Sequence, residues 1–434
     1  MLLRFVVSNF LSIREELEFT MFPYTKLRGH TDHIYKTPKV DLLKASAIYG
    51  AKGSGKSNFV EALQYLQDIV LNENNRLKHR PTYFRLAKST MSSPSKFEIE
   101  FKINSNYYSY GLSLFGSEIL EEWLYSIAPN TGTEKLLFSR KKNEQDEIEL
   151  DVAKKYRKTN KEEILIQLYA EEVLTHSTPF IHLVRNNDKY PELGEAYEWF
   201  FYKLRIVYPN SKIDSLNARF IENNRFRNFV NNIIPKLSTG ISETKVQEYS
   251  LEEFFGKDKA IQERIKIDLS DEKKDIVIRN DRDEIFVSKK EDGEIVVTRI
   301  VAGHWGEGGS MYGFYLEEES DGTRRLFDLL PTIEMLTNED VVCVIDEIGR
   351  SLHPSLLKEL LSFLLRQKTK GQFIFTTHES NLLDLKLFRQ DEIWFVEKDE
   401  TGGTMMYSLS EFKPRYDLDI RKGYLTGRFG AIPF

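Results

Sequence analysis

Cysteine is nearly missing from this chain: Cys343 is the one example in 434 residues. A lone thiol excludes an internal disulfide framework and the paired-cysteine spacing of a zinc ribbon. It fits a reducing compartment, so a cytoplasmic location is expected. Long apolar runs are missing too, since no stretch reaches the roughly 20 residues that a membrane-spanning helix needs. The opening "MLLRFVVSNF" reads as a short strand. It has no small-residue cleavage site, which makes it a poor signal peptide. Excess positive charge is also absent, because the formal net charge is −6. The chain as a whole is therefore not drawn to nucleic acid. The densest basic run, "KKYRK" at 154–158, reads as a solvated loop or helix face. No internal repeat and no low-complexity linker interrupts the sequence.

What is present reads as an ordinary globular chain, with 41% hydrophobic and 29% charged residues. Its length exceeds what one core usually serves, so two or three subdomains are expected. "LLRFVVSNF" and "ELEFTMF" read as two strands joined by a polar turn. "KASAIYG" is a third, buried strand. Phe59, Val60, Leu63, Leu66, Ile69 and Val70 then fall on one helical face. Phe97 to Ile103 and Tyr108 to Leu114 alternate with polar residues around "NSN", which predicts a β-hairpin, and "EEWLYSI" adds a strand. From about 160 to 265 the pattern turns helical. Strands return at "DIVIR", "EIFVS" and "EIVVTRIV", and 310–434 alternates helix with buried strand, as a parallel sheet does. The expected organisation is an N-terminal lobe over 1–155, a helical insertion over 156–265 and a C-terminal lobe over 266–434.

Four segments carry chemistry. The first is "YGAKGSGKSN". Gly50, Ala51, Lys52, Gly53, Ser54, Gly55, Lys56, Ser57 and Asn58 complete a G-x-x-x-x-G-K-S loop between strand and helix. Small residues let consecutive backbone N–H groups close around phosphate oxygens, and the helix points its positive end at the same charge. Lys56 would reach the β- and γ-phosphates of ATP, and the Ser57 hydroxyl would hold Mg²⁺. The second is "VVCVIDEIGRSLHP", where Asp346 and Glu347 end an apolar strand. Open α/β sheets place their chemistry at such ends. Asp346 is the expected Mg²⁺ ligand, and Glu347 the expected base for the attacking water. The third is "GQFIFTTHES", where His378 follows another buried strand and could report a γ-phosphate. The fourth is "EESDGTRRLFDLLP". Ser320, Asp321 and Gly322 open an amphipathic helix, which suits either a simple N-cap or an anion-binding helix tip.

Together, "GAKGSGKSN", "VCVIDE", "ESDGTRRL", "GRSLHP" and "TTHES" resemble the Walker A loop, Walker B strand, signature motif, D-loop and switch-histidine segment of the ATP-binding-cassette superfamily, in its chromosome-maintenance and recombination branch. The phrases "DEIGRSLHP", "FTTHESNLLD", "RQDEIWFVEKD" and "KGYLTGRFGAIPF" are similar to stand-alone bacterial ATPases of the RloA and AbiL abortive-infection type, and to the ATPase of PARIS anti-phage systems. The resemblance covers 1–115 and 295–434. It implies a P-loop NTPase of ABC/SMC-head type, an α/β fold whose mixed sheet carries an antiparallel β subdomain and a helical insertion. It also implies ATP and Mg²⁺ as ligands and a homodimer, or a larger homo-oligomer, in which Ser320, Gly322 and Thr323 of one copy meet the nucleotide held by Lys56 of another. Family logic further implies a separately encoded nuclease effector, often Toprim-like, and admits a phage-derived trigger. Lys52 departs from the asparagine usual in the superfamily and sets a second cation beside the phosphates. Tyr83 to Leu86 is the weak candidate for a Q-loop.

A DNA-maintenance ATPase of the recombination-mediator type is the alternative, and it needs a basic face that the composition does not supply. A transporter subunit fits least, because of the large insertion. The tail 413–434 mixes Arg and aromatic residues, which suits either partner docking or a last strand folded back on the head. In "GHTDH", His30, Asp32 and His33 invite a metal, but no fourth ligand is apparent and a surface loop is the favoured reading.

Overall fold

The computed structural model describes residues 1–72, 81–209, 211, 216–269, 275–279, 284–415 and 418–432. The chain divides into two compact units. The first comprises Met1–Pro209, Leu336–Ile348 and Leu365–Phe434, and the second Asn210–Met335 and Gly349–Leu364.

The first unit holds a seven-stranded antiparallel sheet. Its spatial order is Ile148–Val152, Thr133–Lys142, Glu118–Ala128, Asn106–Phe115, Ser95–Ile103, Leu2–Ser8 and Leu17–Thr20. The expected N-terminal strand pair is present, with Phe5 opposite Phe19. So is the expected hairpin, with Ile103 opposite Asn106. Its turn places Asn104 at φ 50, a left-handed conformation that asparagine tolerates. Alternation explains the sheet's two faces: Phe97, Ile99, Phe101 and Ile103 are buried, while Glu98, Glu100 and Lys102 between them are half-buried. The strands Thr133–Lys142 and Ile148–Val152 were not legible, because charges outnumber apolar residues in the first and match them closely in the second.

The second sheet of this unit has six strands, in the order Leu204–Val207, Val342–Ile345, Gln372–Thr377, Ala45–Tyr49, Ile393–Lys398 and Thr404–Ser408. The first five run parallel and the last antiparallel. The three strands Val342–Ile345, Gln372–Thr377 and Ala45–Tyr49 are wholly buried, as apolar parallel strands covered on both faces must be. Both sheets and the helix Lys56–Leu71 share one core. Phe59 on that helix meets Phe5 and Phe19 edge-on, at 5.7 and 5.3 Å between ring centres. Phe101 stacks on Trp199 at 4.4 Å.

The stretch 156–265 is not the uniform helical insertion expected. Helices do form over Asn160–Leu168, Pro191–Glu198 and Asn224–Ile233. However, Leu204–Val207 is a strand of the parallel sheet and Ile241–Ser250 is a ten-residue strand. "KLRIVY" prolongs the apolar spacing of the helix before it, so helical periodicity hides a four-residue strand. The chain up to Pro209 belongs to the first unit, so the boundary lies inside the expected insertion. A folded-back last strand was one of two expectations for the tail; its described part does fold back on the sheet, but as a helix, Ile420–Leu425. Asp419 caps that helix, and Tyr424 and Phe429 stack on Phe395 at 5.6 and 5.9 Å. Residues 416, 417, 433 and 434 of the tail lie outside the described residues.

In the second unit, Ile241–Ser250, Ile295–Trp305, Glu284–Lys289 and Asp275–Arg279 form an antiparallel sheet in that order, and Met311–Tyr315 also pairs with Ile295–Trp305. Leu251, Ile265, Leu269, Ile285, Val287 and Val297 make its core. Among the described residues, no helix is long and apolar enough to cross a membrane.

One buried charge ties the first unit together. The Glu122 carboxylate accepts from the Phe180 and Ile181 amides at 2.7 and 3.2 Å and from the Tyr110 hydroxyl at 3.1 Å. Burial pushes its carboxyl above the ordinary range, against the pull of the Arg140 guanidinium. Glu122→Ala is expected to cost about 3–5 kcal/mol, because Arg140 loses its counter-charge inside the protein. Glu122→Gln keeps an acceptor and should cost less. Urea unfolding reads both, and an unchanged midpoint for Glu122→Ala contradicts this account.

Candidate nucleotide site

The site grows from the strand Ala45–Tyr49, which feeds the loop 50–55 and then the helix Lys56–Leu71. Two glycines are fixed by space. A Cβ on Gly50 would be driven into the Val396 carbonyl oxygen, and one on Gly55 into the Thr404 side chain. Gly53 and Gly55 also take φ of 82° and 113°, open to glycine at little steric cost. Gly55 caps the helix without a side-chain bond, and no acidic residue occupies the first turn. The amides at that tip therefore meet no anion of their own helix, which suits them to a phosphate.

Lys56 is buried and its ammonium donates to the Gly50 and Ala51 carbonyls at 2.7 and 2.9 Å. Burial pushes it below the ordinary lysine range, while Glu347 and Asp346 pull the other way. Lys52 and Gly53 are exposed on the loop. Ser54 is buried, and its hydroxyl has no hydrogen-bond partner among the described residues.

The carboxylates arrive from the neighbouring strands. Asp346 lies buried at the end of Val342–Ile345, two strands from Ala45–Tyr49. Its Oδ1 accepts from the Ser57 hydroxyl at 3.3 Å and from Thr376 Oγ1 at 2.6 Å. Thr376 Oγ1 in turn accepts from the Glu347 amide at 2.8 Å. Glu347 is half-buried and holds a left-handed backbone, φ 48. For a glutamate that conformation is costly, and such strain persists where surrounding bonds over-determine it. His378 follows the strand Gln372–Thr377, is exposed, and has Nε2 3.6 Å from the Glu379 carboxylate.

A support layer escaped the sequence reading. The Asn58 amide donates to Ser12 Oγ at 2.6 Å, and Ser12 Oγ meets Thr404 Oγ1 at 2.7 Å. Thr404 Oγ1 also donates to the Ser54 carbonyl at 3.1 Å and accepts from Lys398 at 2.9 Å. Asn58 is thus engaged from behind the loop. Ser12 and Thr404 sit in turn and strand segments with no motif, so only their placement marks them. Of the Q-loop candidate, the Phe84 amide donates to Asn9 Oδ1 at 3.0 Å, and Leu86 is exposed.

The signature-like residues belong to the second unit. Ser320 Oγ accepts from the Thr323 amide at 3.1 Å and meets Thr323 Oγ1 at 2.9 Å, so Ser320 does cap the helix Asp321–Asn338. A Cβ on Gly322 would come within 2.9 Å of the Ser351 carbonyl, so this turn needs glycine for close approach.

A glycine loop between parallel strand and helix, with ammonium, hydroxyl and carboxylate converging beside it, defines a P-loop nucleotide-binding protein. The donor set fits a triphosphate with a hard divalent ion: amides and Lys56 for phosphate oxygens, Ser57 and Asp346 for Mg²⁺, and an unpartnered Ser54 hydroxyl in the loop itself. The chain belongs to the family described as "AAA domain, putative AbiEii toxin, Type IV TA system", which matches residues 45–172 and 280–384, more than half of its length. Its fold is that of an α/β P-loop NTPase, with the glycine loop set between a parallel strand and a helix. No curated protein matches it. Among solved structures it is similar to an SMC head bound to the C-winged helix domain of ScpA, at 14% identity and TM-score 0.42 over 95% of this chain and 99% of that one. It is also similar to the SMC head domain from Thermotoga maritima, at 12% and 0.39 over 94% and 98%. A third is an Smc head domain with an extended coiled coil bound to the C-terminal domain of ScpA, from Pyrococcus furiosus, at 13% and 0.38 over 95% and 97%.

Thr376 joins the two carboxylate positions, so Thr376→Val tests the geometry. It leaves the Glu347 amide unpaired, at a cost of about 1–3 kcal/mol. Nucleotide affinity should change little, while turnover of Mg²⁺–ATP falls by roughly 10- to 100-fold. Equal losses in binding and turnover would contradict the assignment.

Proposed function

We propose that this chain binds and hydrolyses ATP with Mg²⁺, and that the bound nucleotide joins two copies of it. The single observation that carries this reading is the Asp346 carboxylate meeting the Ser57 hydroxyl at 3.3 Å, with Glu347 next in the chain. Gly50 to Gly55 wrap the phosphates through their amides, and Lys56 leaves the loop carbonyls to pair with the β- and γ-phosphates. Ser57 and Asp346 hold Mg²⁺, which when bound neutralises charge building on the phosphate oxygens. Glu347 orients a water and takes its proton, and His378 donates to the γ-phosphate. Ser320, Gly322 and Thr323 offer a helix tip and hydroxyls to the γ-phosphate held by a second copy. Loss of that phosphate removes the bridge and loosens the assembly.

The setting we infer is bacterial anti-phage defence of the abortive-infection kind. The toxin–antitoxin wording of the family's description supports it, as does the similarity of the C-terminal phrases to RloA- and AbiL-type ATPases. In this reading the homodimer, or a larger assembly of dimers, restrains or releases a separately encoded, Toprim-like nuclease. The chain acts in the cytoplasm, without a membrane role. A DNA-maintenance ATPase is the second reading. It predicts DNA binding that falls steeply with salt, whereas a defence ATPase co-purifies with the product of a neighbouring gene and binds DNA weakly.

Two substitutions test the mechanism. Glu347→Gln should retain ATP, lose turnover by about 100-fold or more and accumulate as a dimer on light scattering. Wild-type turnover in that variant contradicts the role given to Glu347. Lys56→Ala should lose nucleotide binding and any restraint of the partner nuclease. Restraint that survives it would separate the nucleotide from partner control.

A further inference from the structure

We infer that the turn His30–Asp32–His33 is a binding site for one divalent transition-metal ion, with zinc the best fit. The site is separate from the nucleotide site and does not rest on the proposed function. His33 is not the surface residue expected of a plain loop: it is buried, at 3% exposure, although its neighbours in the turn are not.

Both imidazoles are set up as ligands. His33 Nδ1 lies 3.0 Å from each carboxylate oxygen of Glu392, which is itself fully buried. A proton on Nδ1 satisfies that carboxylate and leaves the Nε2 lone pair free. His30 Nε2 lies 2.9 Å from the Leu385 carbonyl, which can only accept, so Nε2 carries the proton and Nδ1 is the free nitrogen. A carboxylate or carbonyl behind each histidine is the outer-shell arrangement that orients metal-bound imidazoles. The two rings stack at 4.7 Å, 30° apart. One ligand atom from each of His30, Asp32 and His33 lies within 4.8 Å of the others. Tetrahedral zinc with bonds of about 2.0–2.1 Å sets its ligands about 3.3 Å apart, so the three groups draw closer on binding. Two imidazoles and one carboxylate suit zinc and its first-row neighbours better than Mg²⁺ or Ca²⁺. Lys44 lies within electrostatic reach of Asp32 and Glu392, so these carboxylates have a counter-charge without metal.

The location points to a stabilising role, with water as the fourth ligand that three protein groups leave open. The Lys44 amide donates to the His33 carbonyl at 2.9 Å, and Ser46 Oγ donates to the Glu392 carbonyl at 3.2 Å. The turn therefore grips the N-terminal end of the strand Ala45–Tyr49, while the phosphate loop leaves its C-terminal end. An ion here would stiffen the turn that packs against the start of the phosphate-loop strand and, through His33 and Glu392, against the turn before Ile393–Lys398.

The test is Zn²⁺ titration of the full chain without nucleotide, by calorimetry and by thermal melting with and without a zinc chelator. Wild type and Asp346→Asn should each bind one Zn²⁺, gain stability from it, and show visible absorption when loaded with Co²⁺. Asp32→Asn and His30→Gln lie on half-buried or exposed positions and should fold, but lose the site. Glu392→Gln should weaken it by about 10- to 100-fold. Binding that is absent in wild type, or unchanged in both Asp32→Asn and His30→Gln, overturns the inference. Binding lost in Asp346→Asn would also overturn it, by placing the ion at the nucleotide site.

Discussion

A chain of three hydrogen bonds holds this molecule's chemistry in place. It runs from the Ser57 hydroxyl to Asp346, from Thr376 to the same oxygen, and from the Glu347 amide to Thr376. Its members come from the phosphate-loop helix and from two neighbouring strands of the parallel sheet. Each strand is short and wholly buried, so the sheet fixes where its ends emerge. The bonds then fix which oxygen faces which hydroxyl. Asp346 and Thr376 are buried in it, and buried polar groups hold firmly when satisfied and are costly when a partner is lost. The left-handed turn at Glu347 depends on the same bonds, since Ile348 also donates to the Thr376 carbonyl at 3.1 Å.

The support behind the loop follows the same logic. Ser12, Asn58, Lys398 and Thr404 form a second network against the outer side of the glycine turn. Glycine at 50 and 55 lets the Val396 carbonyl and Thr404 come close enough to brace it. Beneath both networks lies an aromatic core, in which Phe59 binds the helix to the antiparallel sheet through Phe5 and Phe19.

Much of this was legible in the sequence. The strand–loop–helix of the P-loop, the Asp-Glu strand end and the hairpin at 95–115 each carry a strong local period or a fixed spacing. What escaped had no local signal. Leu204–Val207 is four residues long and continues a helical apolar pattern, yet it lies beside the Asp346 strand in the sheet. Thr133–Lys142 and Ile148–Val152 are charged strands at one side of the antiparallel sheet, where burial imposes little pattern. Ser12 and Thr404 are 392 positions apart and meet only because the fold brings them together. His33 and Glu392 are the same case, 359 positions apart. "GHTDH" could be read as exposed because the carboxylate behind it lies at the other end of the chain.

The central claim is that Ser57 and Asp346 hold the metal of a bound triphosphate beside Glu347. It is tested most directly by the crystal structure of Glu347→Gln with ATP and Mg²⁺. The account predicts the ion about 2.0–2.1 Å from Ser57 Oγ, with Asp346 bound to it directly or through one water, and the substituted amide side chain facing the γ-phosphate. A triphosphate whose metal lies away from both Ser57 and Asp346 would contradict it.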